Sequence, residues 1–224
     1  MTKFNQIQLC TDLFESKDEC FLLDLQSRCV CSLFARLARE SNIQLPRGWG
    51  VCGEFLSNIV GPEISFFAGV YLIREVYDVR EFSGLQGVER KRYFLVMIMR
   101  ILERLSRELN FDLQPFSNIA EKIDSLNFLN VWEWKKERKY SATKKFRSRI
   151  HVIHELDYFE LVIHVLNKKG EIHAEKRVRP NKIPDEIIMA NTLGDLVWLN
   201  DDEIELISKL NLPQEPPIRI RLND

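Results

Sequence analysis

The chain has 224 residues, of which 45% are hydrophobic and 29% charged, with a formal net charge of −1. That length suits one large domain or two small ones, with enough buried surface to need no disulfide or metal staple. The balance excludes an intrinsically disordered chain, and the longest apolar run, residues 93–99, falls far short of the roughly 18 residues that span a bilayer.

The first residues, MTKFNQIQLCTDLFESKDE, lack the basic start and apolar run of a signal peptide. The expectation is a soluble, unexported, cytoplasmic protein with no membrane partner. Cys10, Cys20, Cys29, Cys31 and Cys52 are odd in number and all lie in the first quarter of the chain. They read as reduced, mostly buried thiols rather than a disulfide framework. Cys29 and Cys31 stand two apart in a helical pattern and so point away from each other, which argues against zinc there.

The elements follow in chain order. A short strand is expected over Phe4–Leu9. Ser16 and Glu19 have the spacing of a capping box, and a helix then runs to about Glu40 on a stripe of Leu22, Leu25, Cys29, Leu33 and Leu37. The glycine-dense stretch from Pro46 to Gly53 has two readings. One is a phosphate-cradling loop before a helix at Glu54. The other, favoured because neither phosphate fingerprint matches, is a tight connection with Trp49 plugged into the core. Proline after Gly61 opens a further helix through Ile64, Phe67, Val70, Tyr71, Arg74 and Tyr77, although residues 66–73 are rich enough in β-formers to be a strand. Ser83 to Gly87 breaks the pattern.

Val88 to Asn110 is the clearest helix, with Phe94, Met97, Ile98, Ile101, Leu102, Leu105 and Leu109 as its buried stripe. Glu103–Arg107 and Arg104–Glu108 have ion-pair spacing on the outer face. Three cations at its start, Arg90, Lys91 and Arg92, oppose the helix dipole. Ser117 is expected to cap a short helix ending near Leu126. Helical stripes stop there and strands begin. The fold class is therefore α+β, with a helical part over residues 1–127 and an antiparallel β-sheet with short acidic helices over residues 128–224.

Charge is distributed unevenly. Residues 132–180 carry 13 basic and 7 acidic side chains, whereas residues 181–224 carry 4 and 9. The basic lead-in, residues 132–149, interleaves eight cations with aromatic rings. Cations neutralise phosphates and rings stack on unpaired bases, so this is the chemistry of a nucleic-acid interface. The residues expected to carry it are Trp134, Lys135, Lys136, Arg138, Lys139, Tyr140, Lys144, Lys145, Arg147 and Arg149. The competing reading is a solvated loop with Trp132 and Trp134 anchored in the core.

Three strands follow and hold all four histidines. Period-two alternation puts Ile150, Val152, His154, Phe159, Leu161, Ile163 and Val165 on a core face. His154 is expected to be a hydrogen-bonded core histidine. If Leu156 opposes Phe159 and Leu166 opposes Glu171, then His151, His164 and His173 align across the outward face as candidate metal ligands. A two-residue shift in the first hairpin would undo that alignment. The mixed outward face, with Glu160, Val162, His164, His173, Glu175 and Arg177, also suits a protein partner.

Beyond Pro184 a short helix is expected, then a strand or loop around Trp198, then a helix from Asp201 to Leu210 capped by Asn200. Pro213, Pro216 and Pro217 force an extended segment, and residues 218–222 alternate like an edge strand. No nucleophile elbow, zinc-protease, P-loop or dinucleotide signature occurs, so no cofactor is called for. Three functions fit: a non-enzymatic binder of nucleic acid or another phosphate-rich partner; a protein-interaction module of the inhibitor, adaptor or immunity type; and a metal-dependent hydrolase or nuclease using the histidines.

Overall fold

The computed structural model describes residues 1–12, 17–77, 82, 84–134, 139–178, 183–209 and 218–222. Ser16 of the capping box, Ser83, Lys135, Lys136, Arg138, Arg179, Leu210 and the three prolines of residues 213–217 lie outside the described residues. The chain divides into two compact units, Met1–Asn130 and Val131–Asp224. The class is α+β, with the long helices in the first unit and antiparallel sheets in the second.

The first unit contains β1 (Thr2–Lys3), β2 (Gln6–Thr11), α1 (Lys17–Glu40), β3 (Gln44–Leu45), β4 (Gly50–Leu56), β5 (Ile64–Phe67), β6 (Val70–Val76), α2 (Gly87–Leu109) and α3 (Gln114–Ser125). Four strands form a sheet in the order β2-β4-β6-β5. β2, β4 and β6 run parallel and β5 turns back antiparallel. Ile7, Leu9, Val51, Phe55, Tyr71 and Ile73 are buried on alternate positions of these strands. Gly53 lies among them because α2 packs there: an added Cβ would come within 2.8 Å of Ile101 Cδ1. α2 buries Phe94, Met97, Ile98, Ile101, Leu102 and Leu105 of the expected stripe and adds Leu95, while Leu109 is only half-buried. Phe4, Phe34 and Phe116 interlock from the N-terminal segment, α1 and α3, with ring centroids 5.4–6.4 Å apart. Asn130 closes the unit. Its Nδ2 donates to the Cys29 carbonyl and to Ser32 Oγ, both at 2.8 Å, and its Oδ1 accepts from Arg36 at 3.1 Å.

Three expectations for this unit are corrected. Ser117 does not cap α3, which begins at Gln114 after Leu113; Ser117 lies inside the helix and its Oγ donates to the Leu113 carbonyl. The stretch after Pro62 is a hairpin of strands, not a helix. Val70, Leu72 and Arg74 alternate with the buried Tyr71, Ile73 and Glu75, and β4 supplies a parallel partner that no local pattern reveals. The hairpin turn uses Ala68 and Gly69, both at positive φ. The glycine-dense stretch runs straight into a strand, with residues 50–53 opening β4. No helix starts at Glu54, and Trp49 is 37% exposed rather than a core plug. It lies over Gly69, whose carbonyl accepts the Trp49 N–H at 2.7 Å.

The second unit contains β7 (Val131–Glu133), β8 (Lys139–Tyr140), β9 (Arg147–His154), β10 (Phe159–Leu166), β11 (Ile172–Val178), α4 (Glu186–Thr192), β12 (Asp195–Trp198), β13 (Glu203–Ile207) and β14 (Ile218–Arg221). One antiparallel sheet runs β11-β10-β9-β7 with β8 also on β9, and a second runs β12-β13-β14. Ile150, Val152, Phe159, Leu161, Ile163 and Val165 of the first meet Leu196, Ile204, Leu206 and Ile220 of the second in one core, with Met189 of α4. The expected helix over 201–210 is a correction: its described residues form a turn and then β13. Asn200 Oδ1 does accept the Asp202 N–H at 2.9 Å. That bond closes a turn instead of capping a helix, because Ile204 and Leu206 alternate into the core between two strand partners.

Candidate functional site

The outward face of β9-β10 is built by cross-strand pairing. Directly opposed residues of an antiparallel pair point to the same side. Tyr140 opposes Arg147, Arg147 opposes Leu166, and Leu166 opposes Ile172. One step along, Arg149 opposes His164 and His164 opposes Glu175. The next row is Glu133, His151, Val162 and Arg177. Tyr140, Arg147 and Arg149 thus gather at one end of the face, with Glu175 at the far side of the Arg149 row.

The expected three-histidine row does not form. The loop at Leu156-Asp157 is closed by Glu155 and Tyr158, which puts His154 opposite Phe159 and His151 opposite Val162. In the second hairpin Asn167 Oδ1 accepts the Lys169 and Glu171 N–H groups, and a register shift follows between Val165 and Leu166. His173 is the extra residue of that bulge. Its ring stacks on Phe146 with centroids 4.6 Å apart, away from the other two. Among the described residues no group of three or more His, Cys, Asp or Glu side chains is placed to hold a metal. His154 is fully buried, donates Nε2–H to the Pro184 carbonyl at 3.2 Å and stacks on Phe159.

His151 and His164 remain diagonal neighbours. Their Nδ1 atoms are 3.1 Å apart, and His164 Nε2 lies 3.1 Å from Glu175 Oε2. Arg177 continues the chain, donating Nε to Glu175 at 2.8 Å and Nη1 to Glu160 at 3.1 Å. Desolvation by burial holds His151 below the usual imidazole range, helped by the charges of Arg149 and His164. Hydrogen bonds from Arg177 and His164 hold the Glu175 carboxyl down. This network absorbs Glu160, His164, Glu175 and Arg177 of the expected protein-binding residues. Val162 is buried beneath it.

The lead-in divides. Trp134 packs against the core and donates Nε1–H to the Gly194 carbonyl at 3.2 Å, with Lys209 Nζ 5.6 Å above its ring. It offers no free stacking face of the kind expected. Lys139 sits in β8, where its carbonyl accepts from Trp198 Nε1 and Ser148 Oγ. Lys144 and Lys145 are exposed in the turn before β9, with Lys145 Nζ 5.0 Å from the Phe146 ring centroid. Tyr140 is 50% exposed. Arg147 and Arg149 are half-buried, and the Nε of each is buried without a hydrogen-bond partner. Neither has a carboxylate as its cross-strand partner.

A carboxylate of the acidic end also reaches this region. Asp201 Oδ1 accepts the Thr143 N–H at 3.1 Å, and hydrogen bonding to that turn holds the Asp201 carboxyl low. Glu205 and Glu203 are instead occupied by Arg219 and Arg221 of β14, at 2.6 and 3.4 Å. The earlier unit has a groove of about 660 Å³ lined by Glu63, Glu75, Arg100, Glu103, Arg104 and Arg107. Its charges largely neutralise one another: Arg100 Nε meets buried Glu75 at 2.5 Å and Arg104 pairs with Glu63.

No family model matches this chain, and neither the curated proteins nor the solved structures contain a match to it. Among the described residues no helix is long and apolar enough to cross a membrane.

Proposed function

We propose that this is a non-enzymatic binding protein whose second unit takes a phosphate-rich polyanion, such as a single-stranded nucleic acid, at the corner made by Tyr140, Arg147 and Arg149. The observation that supports it is the pair of half-buried arginines on one face, neither with a carboxylate as its cross-strand partner. A phosphate oxygen is the acceptor a guanidinium fork fits best. Tyr140 stands directly across from Arg147 and is half exposed, as a ring must be to stack on a base. Lys144 and Lys145 extend the cationic surface along the preceding turn. The test is an electrophoretic shift of labelled single-stranded DNA and RNA at about 50 mM salt, where phosphate contacts are strongest. A shift that weakens steeply with salt is expected. No shift at that salt rejects the reading.

A second reading has its own support. Ile172, at 55% exposure, lies directly across from the buried Leu166, and the half-exposed Tyr140 ends the same row beyond Arg147, a mixed apolar and charged row of the kind protein partners cover. The five cysteines are free thiols, which suits the cytoplasmic location proposed along with either function.

A further inference from the structure

In β2, β4 and β6 the side chains that alternate with the buried set are half-buried: Gln8 and Cys10, Cys52 and Glu54, Leu72 and Arg74. Cys10 and Cys52 meet there, with their sulfurs 3.8 Å apart. The strands pair in parallel, with Gln8 opposite Cys52 and Cys10 opposite Glu54, so the two cysteines are diagonal neighbours.

That diagonal decides what can join them. Strands about 4.8 Å apart and a two-residue offset of about 6.6 Å put the Cα atoms roughly 8 Å apart. A disulfide needs Cα atoms within about 7 Å and sulfurs at about 2.05 Å, so closing one would require the sheet to move. An ion between the sulfurs requires far less. Two metal–sulfur bonds of about 2.3 Å laid end to end span about 4.6 Å, less than 1 Å more than the present separation and within reach of side-chain rotation.

The donor set selects the ion. Among the described residues no third His, Cys, Asp or Glu completes a cluster with the pair. Glu54, across from Cys10, is turned to Arg74 with Oε2 2.8 Å from Nε. Zinc requires four ligands. A soft ion that is satisfied by two thiolates does not. We propose that Cys10 and Cys52 form a two-sulfur site for a thiophilic monovalent ion of the copper(I) class. The two thiols already meet in a hydrogen bond, which with burial pushes Cys10 up and itself pulls Cys52 down. Binding replaces that contact with the ion, forms two metal–sulfur bonds and releases both thiol protons to solvent, with no change of oxidation state.

The test uses the full chain, reduced and kept free of oxygen, titrated against the coloured copper(I)–bicinchoninate complex. One ion withdrawn per chain is expected. Cys10→Ser and Cys52→Ser should each weaken withdrawal at least 100-fold, whereas Cys20→Ser, a half-buried thiol outside the pair, should leave it unchanged. Undiminished indicator colour with the unsubstituted protein overturns the proposal, as does a Cys10→Ser variant that withdraws copper equally well. Should the serine variants fail to fold by circular dichroism, X-ray absorption of the copper-loaded unsubstituted protein decides. Two sulfur neighbours alone support the site, and any other shell overturns it.

Discussion

His151 and His164 face each other Nδ1 to Nδ1 at 3.1 Å across the β9–β10 pair. One nitrogen must donate and the other accept, so the contact holds only while at least one ring is neutral. Because burial and the nearby cations depress His151, the folded protein takes up that proton later than the unfolded chain does. The stability it contributes is complete above the unfolded value near 6.5 and is lost as pH falls through that value toward the folded one. The expected result is that any advantage in urea midpoint over His151→Gln is largest above about pH 7 and shrinks as pH falls below 6.5. Parallel curves for the two proteins would count against the assignment.

Arg147 and Arg149 give the binding proposal its sharpest measurement. If each meets a phosphate, replacing either with alanine reduces the slope of log affinity against log salt by about 0.7–0.9. Arg219→Ala, whose guanidinium is taken by Glu205, should leave the slope unaltered. Filter binding across a salt series would show both. Equal slopes for all three variants would leave the corner without a role.

Asp24 carries a different pH signature. Its Oδ1 accepts the Thr11 N–H at 2.9 Å, yet burial raises its carboxyl from 3.8 to about 7. Here the folded state binds the proton more tightly, so the contribution of Asp24 to stability is complete below about pH 4 and is lost as pH rises toward 7. Asp24→Asn keeps an acceptor for Thr11 and removes the charge. It should raise the thermal midpoint at pH 7.5 and change little at pH 4. A lower midpoint at pH 7.5 would contradict the burial argument.

Two glycines of the first unit should respond oppositely. Gly69 has φ +87°, and a Cβ there would strike the Trp49 ring, so Gly69→Ala should cost at least about 1–2 kcal/mol. Gly50 has ordinary backbone and its Cβ would lie 3.4 Å from the nearest atom, Val70 Cγ2. Gly50→Ala should stay within about 1 kcal/mol of the unsubstituted protein, since a lower unfolded-state entropy offsets minor crowding. Denaturant titration of both variants makes the comparison.

What the sequence by itself determined is what short-range physics dictates. The stripe of α2 follows from the 3.6-residue period, and the core face of β9 and β10 follows from period two. Both patterns are complete within one element. The cationic corner was partly legible for the same reason: alternation alone places Arg147 and Arg149 on one side. Cross-strand pairing had to add Tyr140, and it was the fold that drew Trp134 into the core. Residues 64–76 read as a helix because apolar residues three and four apart satisfy a helical stripe as well as a strand, and residues 201–210 because Asn200 and the acids after it have the pattern of a capped first turn. Only their partners, β4 for β6 and β12 with β14 for β13, removed the ambiguity. The histidine row failed on smaller things, a two-residue difference in one loop and a bulge at His173. Tertiary structure also brought Cys10 to Cys52 across 42 residues. Pairing partners, register and bulges are set by contacts between distant segments, and their free energies do not appear in any local window of the chain.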